Sequence, residues 1–202
     1  MEERYFYNTI ENPGRAEYKA GDSKFIGIAF PVKDIEACKL RRGEIKKEHP
    51  KATHHCFAYR IGLDGNQFRA QDDGEPSGSA GKPILGQIDS RGLTDILIIV
   101  VRYFGGSQLG LPGLTQAYRS TAALVLQTIP IVQQAVEEGY FIQFDYTKIH
   151  EVMGLVKTCD CRITMQTNGL FCKLRLEIPK HRLAEFSFRL QGIRNVEMIK
   201  AD

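Results

Sequence analysis

A run of glycines, Gly105, Gly106, Gly110 and Gly113, lies between a long apolar segment and an amphipathic one. A strand, a glycine-rich turn and a helix start together can expose backbone N–H groups to an anion. The run matches neither GxGxxG nor the Walker pattern, since no Gly-Lys-Ser/Thr follows. Two readings stand, a phosphate-contacting loop or glycines that only permit tight turns. Arg102, just ahead of the run, could offer a bidentate fork to a phosphate. A second loop carries Asp72, Asp73 and Glu75. Three carboxylates there could hold Mg²⁺ through oxygen. They could equally favour the helix start that follows, by about 0.3–1 kcal/mol each, with Asp73 or Ser77 capping a turn. The adjoining Ser77-Gly78-Ser79-Ala80-Gly81-Lys82 reads as another anion-accepting turn, with Lys82 as counter-charge.

His54 and His55 stand just before a strand, and in a strand neighbours point to opposite faces, so the two do not share a metal. One is expected to be buried and bonded to backbone. A general base is the other reading, but no nucleophile stands beside it. A segment with Lys39, Arg41, Arg42, Lys46 and Lys47 is either a solvated helix face or a phosphate-tracking patch. The five cysteines, Cys38, Cys56, Cys159, Cys161 and Cys172, are odd in number and include no CxxC. They are read as free thiols in a reducing, cytoplasmic setting. No metal ligand set is found, and no residue pattern calls for a cofactor.

The elements that must position these residues follow from periodicity. Strands are expected near Glu17–Lys19 and Phe25–Val32, with Gly21-Asp22 as the turn. Asp34 caps a helix running to about Glu48, and Pro50 stops it. Cys56–Ile61 and Asn66–Ala70 form a hairpin over Leu63-Asp64-Gly65. A helix with Pro83 in its first turn ends at Gly92. Asp95–Tyr103 is a nearly unbroken apolar strand, so both its faces are covered. After the glycine run, Leu114, Ala117, Tyr118 and Thr121 mark the inward face of a helix. Pro130 breaks the chain, and the boundary between two domains, residues 1–132 and 138–202, falls near 130–138. Beyond it, Ile142 and Phe144 alternate inward. Ile149, Val152, Met153 and Val156 share a helix face. Asn168-Gly169 joins two strands, and Leu170, Cys172, Leu174, Leu176 and Ile178 face inward along the second. The order βαββαβ is the ferredoxin-like arrangement.

The chain has 202 residues and a net charge of +3. Through Pro130 there are 17 basic and 15 acidic side chains, and after it 10 and 9. Neither half has the excess of a dedicated electrostatic nucleic-acid binder, so any RNA contact must come from a local patch. No stretch approaches the roughly 20 apolar residues of a membrane span. Met1-Glu2-Glu3-Arg4 does not open a signal peptide.

Several segments together resemble the YigZ/IMPACT family. They are His49-Pro50-Lys51-Ala52-Thr53-His54-His55-Cys56-Phe57-Ala58-Tyr59-Arg60, the stretch Asp72–Leu85 that reads DDGEPSGSAGKPIL, and Gly92-Leu93-Thr94-Asp95. Val101–Gly106, Leu109-Gly110, Gly113-Leu114 and Ala117-Tyr118 complete the set. The resemblance spans roughly residues 22–120. It implies an α+β protein whose N-terminal βα sandwich is similar to the second domain of a small-subunit ribosomal protein. A C-terminal ferredoxin-like domain similar to elongation-factor modules is implied as well. In the glycine loop the chain departs from the family pattern. Gln108 stands where relatives often carry Lys, Pro112 where many have Gly, and Gln116 where Arg is frequent. Two positive charges fewer weaken an anion site by about a kcal/mol each.

The function expected from these readings is binding to RNA or the ribosome in the regulation of translation, without catalysis. It requires Arg102, Lys82, Arg91, Arg69 and Arg119 to converge near the glycine loop. A translation-factor protein partner, held by an apolar patch around Phe171, is the alternative. A metal- or phosphate-dependent enzyme using His54, Asp72, Asp73 and Glu75 is the third.

Overall fold

The computed structural model describes residues 4–201. They divide into two compact units, Tyr7–Gln133 and a second that runs from Gln134 and takes in residues up to Phe6.

In chain order the structure up to the boundary carries β1 (Phe6–Ile10), β2 (Gly14–Ala20), β3 (Ser23–Pro31), α1 (Ile35–Glu48), β4 (His54–Ile61) and β5 (Gln67–Gln71). It continues with α2 (Gly81–Ser90), β6 (Ile96–Tyr103), α3 (Gly110–Val125) and β7 (Ile131–Ala135), and both β1 and β7 run across the limits of the two units. Five strands form one sheet in the order β2-β3-β6-β4-β5, and every neighbouring pair is antiparallel. β1 and β7 form a two-stranded sheet of their own. Neither was read from the sequence, because each is a five-residue segment whose partner lies more than a hundred residues away.

The central strand β6 is apolar on both sides because both sides are covered. Ile96, Ile98 and Val100 pack with Ile84, Ile88, Ala117, Tyr118 and Ala122 of α2 and α3. Leu97, Ile99 and Val101 pack with Cys38 and Ile45 of α1. Period-two alternation therefore assigns each sheet residue to a helix layer. His54, Cys56, Ala58 and Arg102 fall on the α2/α3 side, and His55, Phe57 and Tyr59 on the α1 side. Helix α1 starts where expected, since the Asp34 carboxylate accepts the Ala37 N–H at 2.7 Å.

The second unit carries β8 (Glu137–Asp145), α4 (Ile149–Thr158), β9 (Arg162–Thr167), β10 (Phe171–Pro179), α5 (Leu183–Gln191) and β11 (Val196–Lys200). Its sheet runs β11-β8-β10-β9, so first and third strands are central, as in ferredoxin-like domains. Ile142, Phe144, Leu174, Leu176 and Phe186 are buried in its core. Leu170 does not join them. It is 79% exposed, because β10 begins one residue later, at Phe171.

Candidate functional site

Register places His54 directly opposite Arg102 at the end of the five-stranded sheet, both on the α2/α3 side. The Arg102 side chain is only 8% exposed and that of Glu75 4%, and they form an ion pair at 2.7 Å. Tyr118 of α3 donates its hydroxyl to the same Glu75 Oε1 at 2.8 Å. Arg102 also donates to Ser23 Oγ at 3.3 Å, and its guanidinium lies between the rings of Phe25 and Phe104, at 5.5 and 5.3 Å. The arginine expected to fork a free phosphate is thus already committed to a carboxylate. Cys56 Sγ sits 2.9 Å from the Asp72 carbonyl oxygen and 3.3 Å from the Tyr118 hydroxyl. Burial pushes the Cys56 thiol up to about 12 and raises the Tyr118 hydroxyl as well. Both stay protonated at neutral pH and serve as hydrogen-bond donors.

The anion-accepting turn at Ser77–Lys82 already holds an anion, one supplied by the chain itself. The Asp72 carboxylate accepts the N–H groups of Gly78, Ala80 and Gly81 at 2.8, 3.0 and 2.8 Å. Ser79 is buried and donates its hydroxyl to the Pro76 carbonyl. Those amides are not open to a ligand. Asp73 turns the other way, accepting from the His55 N–H at 2.8 Å and lying 3.5 Å from Lys46 Nζ. Of the four residues proposed as a metal or phosphate cluster, only the side chains of His54 and Glu75 come together, with Nε2 and Oε1 3.7 Å apart, while His54 Nδ1 meets the backbone carbonyl of Asp73 at 2.8 Å. Among the described residues no group of three His, Cys, Asp or Glu is arranged to hold a metal. His55 is on the α1 side, its Nε2 donating to the His49 carbonyl at 3.1 Å, and burial lowers its pKa.

The five cations do not converge. Arg69 is opposite Tyr59, on the α1 side of the sheet. Burial, and then the charge of Arg69, lowers the pKa of Arg42 on α1, so these two are neighbours. Arg91 closes the far end of α2 and donates to the Ala123 carbonyl, about 20 Å along α3 from its first residue. Lys82 and Arg119 alone stay together, lining a groove of about 520 Å³ between α2 and α3. The basic face of α1 is largely neutralised. Lys39 pairs with Glu36, Arg41 with Glu44 and Lys46 with Asp73, while Arg42 stacks 3.7 Å from the Phe57 ring centre.

The glycine loop does open onto a cavity. A pocket of about 480 Å³ has His54, Glu75 and Arg102 at its base and Phe104, Leu109 and Leu111 among its walls. Helix α3 starts at Gly110 (φ +67°) beside it, with no side-chain cap on its first turn. Gly105 is glycine for a different reason, since a Cβ there would lie 1.9 Å from the Asp22 carbonyl oxygen. Gly106 takes φ +101°. Gly113 and Gln108 border the same turn.

Residues 21–126 match the family model described as the Impact N-terminal domain. The chain belongs to the IMPACT family. IMPACT family member YigZ of Escherichia coli (strain K12) is 35% identical over 170 residues, 83% of each chain. IMPACT family member YvyE of Bacillus subtilis (strain 168) is 36% identical over 146 residues, 72% of this chain and 67% of that one. A crystal structure titled only as that of a hypothetical protein superposes with a TM-score of 0.78 at 30% identity, over 98% of both chains.

Sequence reasoning missed Tyr118, Cys56, Ser23 and Phe104 as parts of this IMPACT-type site. Tyr118 read as core, yet a buried tyrosine needs a hydroxyl partner, and that was the available signal. Cys56 shares strand parity with His54, which was a second. Phe104 lies in the Val101–Gly106 segment that carries the family resemblance, while Ser23 carries no signal short of the fold.

Proposed function

We propose that this protein is a cytoplasmic, non-catalytic RNA- or ribosome-associated binding protein that acts in the regulation of translation. Membership of the IMPACT family supports a translation-related role. The observation that carries the RNA reading is the α2/α3 groove, where Lys82 and Arg119 face one channel with no ion-pair partner among the described residues. Asp89, the acid on the same groove, is neutralised by Arg60 at 2.8 Å. Two cations on neighbouring helices, lining one groove, can follow a phosphate backbone with no counter-charge to displace.

Anisotropy titration of a fluorescent single-stranded ribosomal RNA fragment at several salt concentrations tests this. Each phosphate contact contributes about −0.7 to the slope of log K against log salt, so Lys82→Ala with Arg119→Ala flattens the slope by about 1.4. Absent or salt-insensitive binding removes the reading.

One observation favours a second reading, a protein adaptor. Register aligns Ile199, Phe141, Arg175 and Met165 in a row across the helix-free face of the second sheet. Ile199 is 64% exposed and nearby Phe171 60%. Ribosomal factors that survive nuclease treatment in a pull-down, and are lost in Phe171→Lys, would support it.

A further inference from the structure

Two arginines on the α1 side of the five-stranded sheet are held side by side. The Arg42 guanidinium lies over the Phe57 ring, 3.7 Å from its centre. Phe57 is opposite Gln71 in register and Tyr59 opposite Arg69, so these four share one face at the β5 edge. Arg69 donates to Gln71 Oε1 at 3.2 Å, which holds its guanidinium along the strand on the Phe57 side. Burial first and Arg69 second lower the Arg42 pKa, in line with that proximity. Neither arginine has an ion-pair partner among the described residues. The carboxylate whose charge reaches Arg42 is that of Asp73, and it already accepts the His55 N–H and faces Lys46. Like charges placed together oppose folding, and no carboxylate of the chain is left to offset this pair.

The same edge strand connects the pair with the α2/α3 groove. Gly81 has no room for a Cβ against the backbone of Ala70 and Gln71, so α2 begins pressed on the other side of β5 at this level. Lys82 is the next residue, exposed and lining the groove. β5 is the last strand of its sheet, and Gln67 to Ala70 are exposed along it. The acids nearest this path are engaged within the chain, Asp72 by three amides and Asp89 by Arg60. We infer that Arg42 and Arg69 clamp a phosphate, and that a single RNA strand reaches it from the Lys82/Arg119 groove by passing over the β5 edge. A guanidinium stacked on a ring keeps its N–H rim for oxygen, and two such rims suit the several acceptor oxygens of one phosphate. The path of the strand rests on the function proposed above. The clamp does not, since its phosphate can equally be that of a free pyrophosphate.

The test uses the full chain, with the single-stranded ribosomal RNA fragment followed by anisotropy and pyrophosphate by calorimetry. Arg42→Gln with Arg69→Gln is expected to flatten the slope of log K against log salt by about 1.4, two contacts at about 0.7 each, beyond the change from Lys82→Ala with Arg119→Ala. Arg69→Gln alone, at an exposed position that leaves the Arg42–Phe57 stack in place, gives about half of that. In low salt without ligand this single variant should melt no lower than the wild type, because it removes a repulsion. A clear loss of melting temperature would make Arg69 a structural tie and overturn the clamp. Pyrophosphate is expected to bind the wild type and to be lost in the double variant. RNA bound through Lys82 and Arg119 but indifferent to Arg42 and Arg69 overturns the clamp and leaves the RNA reading. Pyrophosphate bound through the two arginines, with no RNA bound, upholds the clamp and overturns the RNA reading. Binding of neither overturns both.

Discussion

Glu75 and Arg102 are charged groups held almost wholly out of water, and each depends on the other for its charge to be tolerated. The carboxylate also takes the Tyr118 hydroxyl, so three side chains from three elements meet on one oxygen. Removing one member leaves the rest desolvated and unpaired. Glu75→Ala is expected to lower the unfolding free energy by about 3–5 kcal/mol in a urea titration, and Glu75→Gln, which keeps an acceptor for Tyr118, by less. The pair with Arg102→Met should recover part of that loss, because an apolar pair leaves no orphaned charge. None of this was legible in the sequence. Arg102 and Glu75 are 27 residues apart, and an arginine beside a glycine loop reads as a ligand fork as readily as an internal tie. Asp72 was half legible. Its place before a helix start suggested favourable charge, but three amide bonds from one carboxylate need the folded loop.

Elements carried their signals more openly than sites did. Asp34 before α1 and the two-sided apolar run of β6 each state a local requirement that short-range chemistry satisfies, whereas Asn168-Gly169 does lie between β9 and β10 but neither residue takes the positive φ expected of it. β1 and β7 carry no such local signal, since each is defined by a distant partner. The turn between β6 and α3 illustrates the same limit. Four glycines suggest one shared purpose, yet Gly105 is there because the β2–β3 turn crosses it at Asp22, and Gly110 because α3 opens with a positive φ. Gly105→Ala has no room for its methyl against backbone, so it must displace one of the two turns. Its expected cost is about 1–3 kcal/mol or more, read as a lowered midpoint in thermal melting. Gly106→Ala meets nothing within 4 Å and is opposed only by its φ, so it should cost less.

At the scale of the molecule, the apolar cores are built separately. The two clusters flanking the five-stranded sheet draw all their buried residues from Ile10 to Ile129. The cluster of the second unit draws all of its own from Ile142 to Leu190. A core residue is held by the atoms it touches, so a cavity cut in one cluster removes contacts from that cluster alone. Leu174 is fully buried on β10 beneath α4 and α5. Leu174→Ala is expected to remove about 2–5 kcal/mol from the unit that contains it. Hydrogen exchange followed by mass spectrometry reads the consequence, because amides protected by sub-global opening lose protection with the unit that opens. Peptides covering β8 to β11 should exchange faster, while those covering β6 and α3 keep their wild-type rates. Uniform acceleration across both sets would mean that the two cores unfold as one cooperative body. The binding groove and pocket, built entirely within Tyr7–Gln133, would then depend on the second unit for their stability.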